Sequence, residues 1–457
     1  MAVRNILGIG AGYVGGPTMA VMAARCPDLR IEVADIDEER VRAWQSGRPP
    51  IYEPGLDEVL RRGLGRNLSF TSDLPAAIRR AEMIFVSVNT PTKVFGQGMG
   101  MAADLQHWEA TARTIRAHAP GPRIVVEKST VPVRTAEAMD QILNEEGTRR
   151  FEVLSNPEFL AEGTAIRDLE EPDRVLIGSA ETPAGQAAAA ELVDIYARWV
   201  PRERILTMNV WSSELSKLAA NAFLAQRVSS INAIAELCEI SGARIGEVAR
   251  AVGMDRRIGP RFLEAGVGFG GSCFRKDVLN LVYLCRHSGL TEAADYWHSV
   301  VRFNDHHQAR FAAGIVSQMF NTLVGKRIAL FGFAFKADTG DTRDSPAIRI
   351  ARALVEERAR LVITDPQALE NARRELADLA DRIEFTDDPC EAARGAHAIV
   401  VVTGWRQFAE LDYGRILATM ERPAFLFDGR NLLDAERMFS LGFNVVPIGS
   451  PPRLHFE

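Results

Sequence analysis

Gly10, Gly12 and Gly15, in Gly10-Ala11-Gly12-Tyr13-Val14-Gly15, follow an apolar run and precede an alanine- and methionine-rich stretch. That spacing suits a dinucleotide: one glycine makes the tight turn, one lets a pyrophosphate approach the backbone, and one lets helix pack on strand. Asp35 ends the next apolar run 20 residues after Gly15. A carboxylate there holds ribose hydroxyls and repels a 2′-phosphate. Together the two signals predict NAD binding, with a purely structural glycine turn as the alternative. Arg40, five residues further on, is the cation best placed to soften the preference against a 2′-phosphate.

A second cluster, Gly268-Phe269-Gly270-Gly271-Ser272-Cys273-Phe274-Arg275-Lys276-Asp277, delivers one cysteine to a predicted helix start. Unpaired backbone donors at such a start favour the thiolate. Lys276 adds positive charge, whereas Asp277 at i+4 opposes it and is suited to placing a proton or a water. A small cysteine buried at a packed glycine corner is the other reading. Lys217 and Asn221 are four apart, hence on one helix face, and could aim an ammonium and an amide at one oxyanion; a solvated helix edge is the bland alternative. Glu158 and Glu162, in Asn156-Pro157-Glu158-Phe159-Leu160-Ala161-Glu162-Gly163-Thr164, follow a predicted strand end. Loop carboxylates there either face the ligand crevice of an open α/β sheet or cap a helix. Phe335-Lys336, after a turn at Gly332, would meet a nucleotide phosphate. His306 and His307 are adjacent, so they point apart on a helix, and the other histidines are scattered; no metal site is expected.

The elements that must position these residues are legible in outline. At 457 residues the chain is long enough for two or three domains, and 47% hydrophobic with 25% charged residues describes a folded, soluble protein. A net charge of −6 gives no reason to expect nucleic acid. No apolar run is long enough to span a membrane and Ile6–Ile9 leads straight into a glycine turn, so no membrane association and a cytoplasmic location are expected. The five scattered cysteines contain no Cys-x-x-Cys, which suggests neither disulfides nor zinc.

Short β-rich runs at 3–10, 31–35, 83–88, 123–127 and 152–155 alternate with helical or loop segments, the grammar of a doubly wound parallel sheet. Residues 211–241 contain no Pro or Gly and predict a helix of some thirty residues, opening a helical spacer. Strand grammar then resumes: 327–332 echoes 5–10, 361–365 echoes the strand ending at Asp35, and 396–403 echoes 81–90. The expected fold is α/β, two doubly wound Rossmann-like domains at 1–205 and 311–457 joined by a central long-helix region at 206–310.

Taken together these motifs resemble the UDP-glucose 6-dehydrogenases within the nucleotide-sugar dehydrogenase family. The likeness covers essentially the whole chain and rests on the segments 10–18, Ile51-Tyr52-Glu53-Pro54-Gly55-Leu56, Val88-Asn89-Thr90-Pro91-Thr92, Glu127-Lys128-Ser129-Thr130-Val131-Pro132, Asn156-Pro157-Glu158-Phe159, Glu214-Leu215-Ser216-Lys217 through Asn221, 268–277 and Phe335-Lys336. The resemblance implies four-electron oxidation of a UDP-glucose C6 alcohol to a carboxylate by two NAD through an enzyme thioester. It implies Cys273 as nucleophile, Lys217 and Asn221 as oxyanion and alkoxide stabilisers, Asp277 and Thr130 as holders of a water, and Glu158 as acid/base in thioester hydrolysis. The cofactor side would comprise Gly10, Gly12, Tyr13, Val14, Gly15, Asp35, Arg40, Thr90, Thr130, Glu162, Lys276 and Arg343. The substrate side would comprise Glu158, Phe159, Leu160, Lys217, Asn221, Phe262, Phe269, Gly270, Phe335, Lys336 and Arg430, with Arg257 reaching over from a neighbouring subunit.

A homo-oligomer, dimer or hexamer, is therefore expected. The segment 94–101 resembles the longer loop of animal members but carries Met101 where those have a basic residue, and the chain stops soon after Pro447. NAD in the first domain and UDP in the third, with catalysis at their junction, is the arrangement the resemblance implies. A dehydrogenase of another nucleotide sugar, GDP-mannose or UDP-N-acetylhexosamine, and a catalytically silent nucleotide-sugar sensor are the rival readings.

Overall fold

The computed structural model describes residues 3–145 and 151–456. By its contacts the chain divides into two compact units, Met1–Ala220 with Tyr283–Ser288, and Asn221–Val282 with Gly289–Glu457.

The first unit is built on eight strands: β1 (Asn5–Ile9), β2 (Arg30–Ala34), β3 (Leu68–Thr71), β4 (Met83–Val86), β5 (Arg123–Glu127), β6 (Phe151–Ser155), β7 (Val175–Ser179) and β8 (Ile205–Asn209). Their order is β3-β2-β1-β4-β5-β6-β7-β8, parallel throughout except between β6 and β7. Strands such as Met83-Ile84-Phe85-Val86 are buried along their whole length, as expected where helices cover both faces of a parallel sheet. One face packs on a cluster including Met19, Trp44 and Leu192, the other on one including Ile78, Trp108 and Ile115. Strand order reverses at β1, between β2 and β4. Ligand crevices of open α/β sheets lie at such a point, outside the strands' carboxyl ends, and the glycine loop 10–15 stands there.

β8 leads without a loop into the helix Val210–Ser241, whose 32 residues match the uninterrupted run read from the sequence. A second long helix, Thr291–Gln318, has 28 residues. Among the described residues, no helix is long and apolar enough to cross a membrane.

The second unit carries an all-parallel sheet of β9 (Arg327–Phe331), β10 (Arg360–Thr364), β11 (Ile383–Phe385), β12 (Ala398–Val401), β13 (Phe425–Asp428) and β14 (Asn444–Pro447), in the order β11-β10-β9-β12-β13-β14. The sequence echo has an atomic counterpart. Gly10 N donates to Ala34 O and Gly332 N to Thr364 O, each at 2.8 Å. The acid that follows each strand accepts from the glycine turn: Asp35 Oδ2 from Ala11 N at 2.8 Å, Asp365 Oδ2 from Phe333 N at 2.7 Å. Both turn glycines have φ above +90°, a conformation that excludes most side chains.

Candidate active site

In the first unit the glycine loop has the shape its spacing predicts. A Cβ on Gly15 would lie 1.9 Å from Gly10 O, so only glycine lets helix Gly15–Arg25 start there; a Cβ on Gly12 would meet nothing within 4 Å. That open space over the backbone, at a helix start with no side-chain cap, fits a pyrophosphate. Tyr13 and Val14 flank it, half-buried. Asp35 is buried, with Oδ1 accepting from Asp37 N at 3.0 Å and Arg40 Nη1 lying 3.2 Å from Oδ2. Thr90 Oγ1 donates to Thr130 O at 2.9 Å, tying the loops after β4 and β5 together.

The loop after β6 carries Glu158, whose Oε1 accepts from Phe159 N at 2.8 Å and Leu160 N at 3.1 Å, while Oε2 pairs with Lys128 Nζ at 2.8 Å. Burial would raise the pKa of this carboxyl; Lys128, the backbone donors and Lys217 outweigh it and hold the group below the usual carboxylate value. Glu158 therefore caps no helix. The next helix, Ala165–Glu170, is served by Glu53, which takes Gly163 N at 2.8 Å and Ala165 N at 2.7 Å and so clamps the stretch holding half-buried Glu162. Lys217 is buried with its ammonium 5.1 Å from the Phe159 ring centre, which rules out a solvated helix edge.

In the second unit Cys273 immediately precedes the helix Phe274–His287, and its carbonyl accepts from Asp277 N at 2.8 Å. Its side chain is exposed, 3.4 Å from Ser272 Oγ, so it is not a packed core cysteine. Asp277 is buried, accepts from Asn221 Nδ2 at 2.6 Å and lies 3.9 Å from Lys276 Nζ. The structure thus brings Asn221, Lys276 and Asp277 together beside the cysteine's helix turn.

The preceding glycine loop is pinned from several sides. Asn304 bonds both the N and O of Phe269, Gln308 also reaches Phe269 O, and Gly271 N donates to Arg343 O at 2.9 Å. His307 reaches Gly266 O with one ring nitrogen and Glu236 with the other. A Cβ on Gly270 would meet Asp344 O at 2.4 Å, and Phe335 packs over Gly271. Phe262, at φ +62°, lies near Phe274, and Lys336 sits over the Phe335 ring. Arg430 donates to Val402 O at 2.6 Å and Phe335 O at 3.3 Å; burial, against the pull of Asp428, pushes its pKa down to about 10. Arg343 is held by Asp341, and Arg257 is exposed on the protein surface, paired with its neighbour Asp255.

Residues 4–200, 211–306 and 329–435 match the NAD binding, central and UDP binding domain models of the UDP-glucose/GDP-mannose dehydrogenase family. The chain belongs to the UDP-glucose/GDP-mannose dehydrogenase family. It is 55% identical to UDP-glucose 6-dehydrogenase 1 of Oryza sativa subsp. japonica, over 97% of this chain and 96% of that one. It is 54% identical to UDP-glucose 6-dehydrogenase of Caenorhabditis elegans, over 98% and 96%. A solved UDP-glucose dehydrogenase from Pyrobaculum islandicum superposes with a TM-score of 0.85 at 34% identity, covering 98% of this chain and 97% of that structure.

Five residues that hold these loops had no role in the sequence: Glu53, Lys128, Asn304, His307 and Gln308. Lys128 had a signal, since a lysine ending an apolar strand run needs a buried oxygen partner. Asn304, His307 and Gln308 share one helix face by spacing alone, but only the fold shows that the face meets the cysteine's loop.

Proposed function

We propose that this protein oxidises UDP-glucose to UDP-glucuronate with two NAD, through a thioester on Cys273. The observation that carries the reading is an exposed thiol at a helix start, beside an Asp277 bound to Asn221, in a chain whose relatives sharing more than half its residues are named UDP-glucose 6-dehydrogenases.

Bound NAD supplies the hydride acceptor; the glycine loop and Asp35 hold it. Lys217 and Asn221 stabilise the oxygen at C6 as the alcohol loses its first hydride. The aldehyde has no second hydride to give until a nucleophile rebuilds a tetrahedral carbon, and the Cys273 thiolate does this. Loss of the second hydride leaves a thioester. Asp277 and Thr130 hold the water that cleaves it, and Glu158 takes the proton. Glu162, Lys276, Thr90 and Arg343 serve the cofactor, while Phe159, Leu160, Phe262, Phe269, Gly270, Phe335, Lys336 and Arg430 shape the substrate site. Arg257, exposed on its own chain and paired there with Asp255, reaches a neighbouring subunit of a homo-oligomer. The three-part organisation at 1–205, 206–310 and 311–457 and a cytoplasmic location complete the proposal.

Cys273→Ala should keep NAD and UDP-glucose affinity within a few fold yet make no uronate in steady state. Glu158→Gln should accumulate a covalent adduct on Cys273, visible by intact mass. UDP-glucose should outpace GDP-mannose and UDP-N-acetylhexosamines in NADH formation. Near-native production of UDP-glucuronate by Cys273→Ala, with two NADH per sugar, would overturn the mechanism.

A further inference from the structure

Lys128 follows β5 directly, and its side chain is only 3% exposed. A lysine at that depth stays charged only where oxygens replace its hydration shell, and three do. Its ammonium lies 2.8 Å from Glu158 Oε2, 3.0 Å from Asn156 Oδ1 and 3.1 Å from Tyr196 OH. These partners are themselves fixed: Tyr196 OH donates to Asn156 Oδ1 at 2.8 Å, and Asn156 Nδ2 donates to Leu176 O at 2.7 Å. The ammonium therefore has one orientation, set by the sheet and by helix Pro183–Tyr196.

The Glu158 carboxylate has about four lone-pair sites. Two on Oε1 are taken by Phe159 N and Leu160 N, and one on Oε2 by Lys128, which leaves one, on Oε2, for a water. We propose that Lys128 is a positioning residue for acyl release, holding Glu158 ionised and turned so that its remaining lone pair receives the proton of the attacking water. The proposal rests on the thioester reading above.

In that step the water oxygen bonds the thioester carbon and one water proton passes to Glu158. The carbon–sulfur bond then breaks, the Cys273 thiolate leaves with the electron pair and recovers the proton from Glu158, and the uronic acid loses its own proton to solvent. Only a carboxylate that is already ionised can begin it.

The charged and titratable groups around Glu158 come from each neighbouring element: Lys128 after β5, Tyr196 at the end of helix Pro183–Tyr196, Lys217 on helix Val210–Ser241, and Arg174, whose guanidinium lies 3.9 Å from the Phe159 ring centre. Lys128 pairs directly with the carboxylate, at 2.8 Å. Without it Glu158 would keep its burial with only Lys217 and the backbone donors to offset it, so its titration would move upward.

Lys128→Met tests this, because it removes the charge and keeps the apolar stem. Stopped-flow with UDP-glucose and NAD should show NADH formation in the first turnover at the native rate. Steady-state turnover at about pH 7 should fall about tenfold or more as release becomes rate-limiting, and should recover as pH rises. Intact mass should show the adduct held on Cys273, and the acid limb of its release should move toward neutrality, whereas Glu158→Gln should release slowly with no such limb. A lysine of merely structural importance would lower folding or cofactor affinity without moving that limb. In the native protein, release should be independent of pH down to about 5.5.

Release from Lys128→Met at the native rate with the native pH profile would overturn the proposal. An acid limb near neutrality in the native protein would do the same, and that second measurement decides the matter if Lys128→Met fails to fold. Absence of any adduct in Glu158→Gln, together with an active Cys273→Ala, would instead sink the thioester reading.

Discussion

Replacing Asp35 by Asn tests how the protein chooses between NAD and its 2′-phosphate analogue. Two unit charges about 4 Å apart at an effective dielectric of about 20 interact by roughly 4 kcal/mol, which sets the repulsion between Asp35 and a 2′-phosphate. Arg40 works the other way. Its Nη1 is 3.2 Å from Asp35 Oδ2, but its side chain is 41% exposed, so solvent weakens its pull and it offsets roughly half of the repulsion. The remainder, about 2 kcal/mol, corresponds to roughly thirtyfold higher kcat/KM with NAD than with NADP.

Asp35→Asn removes the repulsion and leaves Arg40, so the ratio should fall to near one or invert. The substitution also has a structural cost. Both Asp35 oxygens accept backbone N–H groups, from Ala11 at 2.8 Å and Asp37 at 3.0 Å, and an amide has only one oxygen. One buried donor is left without an acceptor, a loss of about 1–3 kcal/mol that should appear as a lower Tm. A loosened loop harms both cofactors alike, so the NAD to NADP ratio of kcat/KM is the proper readout. Equal efficiency with both cofactors in the native protein, or an unchanged ratio in a folded Asp35→Asn, would refute the reasoning.

Two further outcomes follow from buried and exposed groups elsewhere. Glu127 has two buried carboxyl oxygens with no donor in reach and faces Glu214, so burial first, and then the like charge, push its pKa well up; burial likewise raises Glu214, against the N–H groups of Ala136 and Arg134. The folded chain therefore binds more protons than the unfolded one between the ordinary and raised values. The pair's stabilisation is full below the ordinary carboxylate pKa and is lost as pH rises through the raised native values. Glu127→Gln, whose amide can donate to Glu214, should raise Tm at neutral and alkaline pH and flatten its fall with pH; an unchanged Tm–pH slope would count against this. Helix Val210–Ser241 leaves Phe223, Leu237 and Ile240 more than half exposed, which favours a homo-oligomer; light scattering at micromolar concentration should give at least a dimer, and a fully active monomer would contradict it.

The local chemistry was written in the sequence because short-range geometry dictates it. The spacing of Gly10, Gly12 and Gly15 before a helix, Asp35 at a strand end, and the uninterrupted run that became Val210–Ser241 each follow from backbone sterics and periodicity over a few residues. The echo between 5–10 and 327–332 was also legible, and the matched bonds of Asp35 and Asp365 give it an atomic basis.

Strands β7 and β8 and the antiparallel step between β6 and β7 were not legible, because pairing direction is decided between segments far apart in the chain. For the same reason sequence left Cys273, Lys217 and the Glu158 loop with two readings each: burial is a property of the packed chain, and it made the cysteine exposed and the lysine buried. Only the tertiary structure brought Lys128, just after the strand at 123–127, onto Glu158 some thirty residues on, with Asn156 and Tyr196 as further partners. A charge can be taken out of water only where other segments supply the oxygens to receive it, and no pattern along one segment records that meeting.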